Sequence, residues 1–472
     1  MMPVPSRKHV VVMPLPAMGH ICPLWELAKK IADEDHFEVT FVVSESKVHE
    51  MEQRKISSTS KKGNHGVRIY GLKDGLTESL DKTIDPNHLL ALVKEISPAQ
   101  RAFLEALPTR NQPGNPITIQ GISPVDAVIV DNCFPDPIPI CRKRGIAAHA
   151  FSASAAWTVL GVMTINDQTP TMSDEAFFDG THEDLAHTKA VKSLKEWLVA
   201  CHNAMSQASS ICLNSFEDLE PDFVKNLKTV APNVADTPTY FLGPLLPSVS
   251  DFAEQKTEYA ANVVKWLDQQ KDKSVIYVSF GSIALPSAEQ IQEITKALLA
   301  TKRPFIWSLE KQAQSTLPLE CCKHLNNCEK QSDLADCPYL IASWQPQKEI
   351  LAHPATGLFI GHCGWNSTIE SIGNGVPKLA LPMFGDQHEN AELVEKIGCG
   401  IMIPNISQRG ERLVPAEEIL TNIKAITGEQ DGSNGKKVNY YGNAKEYSAK
   451  AHEAISPSGK STRDFHNFCM NL

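Results

Sequence analysis

Two histidines, each set beside glycine after an apolar run, are where this sequence could do chemistry. The first lies in Pro16-Ala-Met-Gly19-His20-Ile-Cys-Pro23, where a glycine permits a sharp backbone between a strand and a helix. A neutral imidazole there suits the deprotonation of a hydroxyl at neutral pH. An isolated histidine at such a turn could equally cap the helix or face solvent. The second lies in Leu358-Phe359-Ile360-Gly361-His362-Cys363-Gly364-Trp365-Asn366-Ser367. That order reads as a buried strand, a tight glycine turn and a helix starting at Ser367. Ser367 and Glu370 have capping-box spacing, so each side chain can satisfy a free backbone N–H. Small residues before a helix start leave N–H groups and the positive dipole end aimed at one spot, which suits a phosphate. An ordinary capped strand–turn–helix reads the same way, so the surroundings must decide.

The elements that would position these residues alternate from the start of the chain. His9–Met13 reads as a strand and 19–33 as the helix after it, followed by strands at Phe37–Val43, 126–130, Ala147–Phe151 and Ser210–Leu213, with a helix over 86–106. Phe241-Leu-Gly-Pro-Leu-Leu-Pro247 closes this half, and polar residues 248–260 read as a linker. The alternation restarts with Val275–Ser279, the turn Phe280-Gly281-Ser282, a helix over 287–299 and a strand over 304–309. A loop follows over 310–337, and the chain is largely helical from Val438. Strands alternating with helices predict parallel sheets covered on both faces. The expected organisation is an N-terminal Rossmann-like domain (1–247), a linker (248–260), a second Rossmann-like domain (261–450) and a C-terminal helix (451–472). Ligands in such sheets bind beyond the carboxyl ends of the strands, where the turns after Met13, Val130 and Ile360 lie.

Composition narrows the function. With 472 residues, 42% hydrophobic and 21% charged, the chain is long enough for two globular domains. A net charge of −10 argues against nucleic acid or an anionic membrane as partner. No apolar run approaches the roughly 20 residues that span a bilayer. Arg7 and Lys8 before an apolar run mimic a signal peptide, but Pro14 and Pro16 interrupt it and an amphipathic helix follows. The 12 cysteines are scattered without framework spacing, as in a reduced cytoplasmic protein. Cys321, Cys322, His324, Cys328 and Cys337 cluster but lack paired C-x-x-C knuckles, so no metal is expected. Ser458-Gly-Lys-Ser461 fails as a phosphate loop because residue 454 is Ala. Asp33-Glu34-Asp35 reads as a solvated helix end.

From Trp344 to Gln387, the residues Trp344, Gln347, His353, Pro354, His362, Gly364, Trp365, Asn366, Ser367, Glu370, Gly375-Val376-Pro377, Pro382, Asp386 and Gln387 fall at one family's spacings. The stretch resembles the signature box of the plant UDP-dependent glycosyltransferases of family 1. The resemblance is strongest over 344–390, clear over 9–23 and 274–282, and elsewhere a matter of domain pattern. It implies an α/β fold of two Rossmann-like domains facing a cleft (the GT-B type), the last helix crossing back to the first domain.

It also implies roles. His20 matches the family's catalytic base, and Asp131 the buried aspartate that orients it; Asp136, a helical turn later, is the position most easily confused with it. Trp344 would stack on uracil, Gln345 offer backbone hydrogen bonds, and Glu370 accept from the ribose, with Gln347 beside them. His362, Asn366, Ser367 and Ser282 would hold the diphosphate, and Trp365, Asp386 and Gln387 the sugar. Gln345 departs from the usual small residue. The implied reaction is inverting transfer of glucose to a hydroxyl of a phenolic or flavonoid-like acceptor in plant secondary metabolism. It needs UDP-glucose but no cofactor or metal, and the enzyme is expected as a cytoplasmic monomer. Phe134, Phe151 and Trp157 are candidates for the acceptor wall, though any of them could be core. Carbon rather than oxygen as attacking atom, or a terpenoid or hormone acceptor, would fit the same scaffold. An NAD-dependent oxidoreductase would need G-x-G-x-x-G, which Gly398-Cys-Gly400 does not complete. A binding protein without catalysis would not need both His20 and Asp131.

Overall fold

The computed structural model describes residues 7–53, 66–76, 86–109, 122–165, 185–234, 236–246, 258–281, 285–318, 321, 334, 337–403, 412–429 and 438–472. The chain forms two compact units, Met1–Leu246 with Glu453–Leu472, and Pro247–His452. Residues 248–257 of the expected linker lie outside the described residues, and 258–260 already belong to the helix Glu258–Asp268.

The first unit is built on seven parallel strands: β1 (Lys8–Met13), β2 (Phe37–Ser44), β3 (Arg68–Leu72), β4 (Ala127–Asp131), β5 (Ala147–Ser152), β6 (Ser210–Leu213) and β7 (Thr239–Phe241). Their order across the sheet is β3-β2-β1-β4-β5-β6-β7. Continuous Val and Ile runs suit strands buried on both faces, and the period of two divides them between two cores. Val10 and Val12 meet Ile21, Leu24 and Leu27 of the helix Met18–Ala32 on one side. Val11, Met13, Val128 and Val130 meet Leu104 of the helix Pro86–Ala106 on the other. The C-terminal helix Lys460–Asn471 packs Phe465 and Phe468 into the first of these cores. Asp464 there accepts a hydrogen bond from the Phe241 N–H (2.9 Å), and Asn471 Nδ2 donates to the Tyr240 hydroxyl (2.8 Å).

The second unit repeats the plan with β8 (Val275–Ser279), β9 (Phe305–Ser308), β10 (Leu340–Ala342), β11 (Thr356–Gly361), β12 (Lys378–Ala380) and β13 (Gly400–Met402), all parallel. The order β10-β9-β8-β11-β12-β13 gives local positions 3-2-1-4-5-6, and the first unit shares them before adding a seventh strand. This is the Rossmann order, in which the ligand crevice opens where the chain reverses direction across the sheet. That point is β1/β4 in the first unit and β8/β11 in the second. The longer strands stand near where the sequence placed them. β3, β7, β10, β12 and β13, of three to five residues, are too short for a period to register.

No helix among the described residues is long and apolar enough to cross a membrane.

Candidate active site

At the reversal point of the first sheet, β1 ends at Met13 and the helix Met18–Ala32 begins with His20 in its first turn. β4, the neighbour of β1, ends on Asp131. His20 Nδ1 and Asp131 Oδ2 are 2.7 Å apart; the imidazole is 22% exposed and the carboxylate 0%. The other Asp131 oxygen accepts the Cys133 N–H at 3.0 Å. Burial alone would raise the Asp131 carboxyl, but the charge and hydrogen bond of His20, with the Cys133 amide, more than offset it and hold it below its ordinary value. Asp131 is therefore an anion that fixes Nδ1–H as donor and makes Nε2 the basic nitrogen. Asp136 instead pairs with Arg101 at 2.9 Å and leads into the helix Pro137–Lys143.

At the reversal point of the second sheet, β11 ends at Gly361 and runs through His362, Cys363 and Gly364 into the helix Trp365–Gly373. The His362 ring fits between two glycines. A Cβ on Gly281 would lie 2.9 Å from its Cε1, and one on Gly364 would lie 2.6 Å from its Nε2. Cys363 holds the left-handed region at φ 61°, uncommon for a residue with a side chain. The buried Asn390 clamps the turn, donating from Nδ2 to the Cys363 carbonyl (3.0 Å) and to Asp386 Oδ2 (3.2 Å). Burial and then the charge of Lys378 push the His362 imidazole down to about 3 against the opposing effect of a Ser279 backbone hydrogen bond, so it is neutral at physiological pH.

The helix start differs from the sequence reading. It begins at Trp365 with Gly364 as cap, and no capping box forms. Ser367 Oγ donates to the Gly364 carbonyl (2.9 Å), while Glu370 Oε2 accepts from Gln347 Nε2 (2.7 Å). A backbone cap suffices because the glycine turn already delivers the chain in register, which releases Glu370 from the helix end. Burial raises the Glu370 carboxyl against the lowering effect of Gln347. Gln347 is held in turn by the Tyr277 hydroxyl (3.1 Å).

The remaining expected donor residues fall around this turn. Trp344 presents an exposed ring (52%). Gln345 is buried, its Oε1 accepting from the Tyr259 hydroxyl (3.2 Å) and its carbonyl from the Gln347 N–H (2.8 Å). Trp365 is buried and Asn366 half-buried in the first helical turn. Asp386 precedes the helix Gln387–Lys396. Gln387 Oε1 accepts from the Met383 (2.9 Å) and Phe384 (3.2 Å) N–H groups. Its carbonyl oxygen is thus spent on the loop, and only its Nε2 hydrogens remain for a ligand. Ser282 lies outside the described residues, as do Cys322, His324 and Cys328. Phe134 and Phe151 are packed into the two cores of the first sheet, whereas Trp157 is half-buried in the helix Ala156–Thr164. A cavity of about 610 Å³ beside Arg101, Asp136 and Trp197 has neither His20 nor Asp131 in its lining. Sequence reasoning missed the clamp Asn390 and the buried Lys378, neither of which belongs to a period or spacing that signals a site.

Donor atoms of His20, Asp131 and Cys133 lie within 4.8 Å of one another, the one such group among the described residues. Both Asp131 oxygens are already engaged by His20 and the Cys133 amide.

Two Rossmann-like units, one ending in a histidine–carboxylate pair and the other in a neutral histidine at a glycine-lined helix start, define the nucleotide-sugar transferase class. The profile of the UDP-glucoronosyl and UDP-glucosyl transferase family matches residues 177–426, just over half of the chain. The chain belongs to that family, as a plant family 1 UDP-glycosyltransferase of the GT-B fold that transfers a sugar from a UDP-sugar. It is 28% identical to UDP-glycosyltransferase 74C1 of Arabidopsis thaliana, with 99% of each covered. Among solved structures it is similar to UGT2 of Phytolacca americana complexed with UDP-2fluoro-glucose and pterostilbene, at TM-score 0.73 and 27% identity over 98% of this chain and 99% of that one. It is also similar to a UDP-glucosyltransferase from Polygonum tinctorium capable of glucosylating indoxyl, at TM-score 0.75 and 25% identity over 99% of each.

Proposed function

We propose that the protein transfers glucose from UDP-glucose, with inversion, to a hydroxyl of a small lipophilic acceptor of phenolic or flavonoid type. His20 Nε2 takes the acceptor proton, and Asp131 holds the tautomer and balances the imidazolium. The acceptor oxygen forms a bond to the anomeric carbon as the bond from that carbon to the diphosphate breaks, and UDP leaves. The helix start at Trp365–Ser367, with His362 and Ser282, takes the charge growing on the diphosphate. Trp344 stacks on uracil, Gln345 offers backbone hydrogen bonds, and Glu370, oriented by Gln347, receives the ribose hydroxyls. Trp365, Asp386 and the Nε2 of Gln387 hold the sugar. Trp157, half-buried, is the remaining candidate for the acceptor wall, Phe134 and Phe151 being core residues. No metal or cofactor beyond the donor is required. The protein works as a cytoplasmic monomer.

The observation that carries this reading is the 2.7 Å contact between His20 and a fully buried, ionised Asp131. Glucose and a small-molecule acceptor are supported by what the Phytolacca and Polygonum neighbours bind or glucosylate. The test is turnover of an aglycone panel with UDP-glucose and with UDP-galactose, products being identified by mass and by O- or C-linkage. An unpaired buried polar group at the sugar C4 position costs about 1–3 kcal/mol, enough for about a ten-fold preference for glucose. Equal kcat/KM for the two donors would contradict the sugar assignment, and C-linked products the attacking atom.

A further inference from the structure

Lys378 opens β12 with its side chain inside the second unit, 1% exposed. Its Nζ donates to Ser367 Oγ (3.1 Å) and Thr368 Oγ1 (3.3 Å), and lies 4.3 Å from the centre of the Phe359 ring. None of these partners carries a charge. Three titratable groups face it. Glu370 has given an oxygen to Gln347; Cys363 is pushed up by burial and stays a thiol; His362 is neutral. Burial pushes the Lys378 amine below its ordinary value, with the charges of Cys363 and Glu370 only opposing this, because burying an ammonium without a bonded counter-charge is costly. The location raises that cost, because Ser367 and Thr368 lie in the first turn of Trp365–Gly373, where the helix dipole is positive and cations are disfavoured. Packing accounts for a long side chain at this point but not for the sign of its charge.

We infer that Lys378 is a positioning residue for the donor diphosphate, supplying buried positive charge behind the helix start and setting the direction of the Ser367 hydroxyl. This rests on the donor site proposed above. Because Lys378 donates to Ser367 Oγ, the hydroxyl must donate its own proton elsewhere. In the free protein that proton goes to the Gly364 carbonyl. With donor bound it turns to a phosphate oxygen, and the phosphate adds a counter-charge close to the ammonium.

The test is calorimetry of UDP and of uridine, which has no phosphate, on the wild type and K378M. The variant is expected to bind UDP at least about ten-fold more weakly and uridine within about two-fold, since a charge-assisted contact is lost. It should melt at or above the wild-type temperature, because an uncompensated charge gives way to an apolar chain of similar length. Parallel weakening of UDP and uridine with a lower melting temperature would make Lys378 a packing residue and overturn the inference, as would unchanged UDP affinity. If K378M does not fold, K378Q carries the same comparison. A wild type that binds no UDP would overturn the donor site itself, whereas the split between UDP and uridine judges Lys378 alone.

Discussion

The two sheets share strand order and reverse direction at the same place, yet the histidines at their reversal points are opposites. His20 is partly exposed and bonded to a buried carboxylate, so its protonated form has a counter-charge. His362 is wedged between Gly281 and Gly364, has the ammonium of Lys378 for a neighbour, and stays neutral. The backbone supplies the same crevice twice. What differs is the residue that ends the fourth strand of each sheet, Asp131 on β4 against Gly361 on β11. A carboxylate there gives the imidazole a counter-charge, whereas at Gly361 a Cβ would lie 2.4 Å from the Ser279 carbonyl oxygen, so no side chain fits and no charge is supplied. Fold places a site, and one or two charges set its chemistry.

Removing the carboxylate should erase the difference most completely. Asp131→Asn keeps the shape but loses the charge and frees the imidazole to take the other tautomer. Turnover is expected to fall by about 10²–10⁴-fold with UDP affinity unchanged. Steady-state kinetics beside calorimetry check this, and a loss below about five-fold would mean that Asp131 is dispensable to the base.

The second crevice depends on space. Gly364→Ala places a Cβ 2.6 Å from His362 Nε2, too close for either to stay. UDP binding should weaken about ten-fold or more by displacement of the ring, while the His20–Asp131 pair is untouched. Wild-type affinity in this variant would show that the His362 position is not needed.

The smallest expected effect concerns stability against pH. His362 is held at about 3 and His149, buried on β5 beside Ser210, at about 4, both first by burial. Unfolded histidine titrates near 6.5. Between those values the unfolded chain binds protons that the folded chain refuses, so stability is full above about pH 6.5 and falls on acidification. His149→Gln should remove its share, making the loss in melting temperature between pH 7 and 5 smaller by a few degrees. An unchanged slope would mean that His149 is not the buried neutral group described.

Much of this was legible in the sequence where a period or a motif was long enough to read. Val10–Val12 and 127–130 announce buried strands, and the residues from Trp344 to Gln387 announce their family. Legibility failed where the outcome hangs on a competing partner. Ser367 and Glu370 have cap spacing, but Gln347 takes the carboxylate and Gly364 caps the helix with backbone alone. Gln387 can in principle bridge sugar hydroxyls, but its oxygen is claimed by two N–H groups of its own loop. Phe134 and Phe151 could as easily have lined a pocket, because an aromatic residue in sequence does not say whether its neighbour is a ligand or a leucine. Lys378 looks like a surface lysine until its strand is found to lie between two others, with its side chain buried.

The division of labour between the two crevices is tested most directly by crossing two variants with two measurements. His20→Ala and His362→Ala are each assayed for turnover at saturating donor and for UDP affinity by calorimetry. The account predicts that His20→Ala loses about 10²–10⁴-fold in turnover and keeps UDP affinity within about two-fold, whereas His362→Ala loses UDP affinity. If UDP affinity collapses in His20→Ala, or stays whole in His362→Ala, the two histidines do not divide proton and anion chemistry in this way.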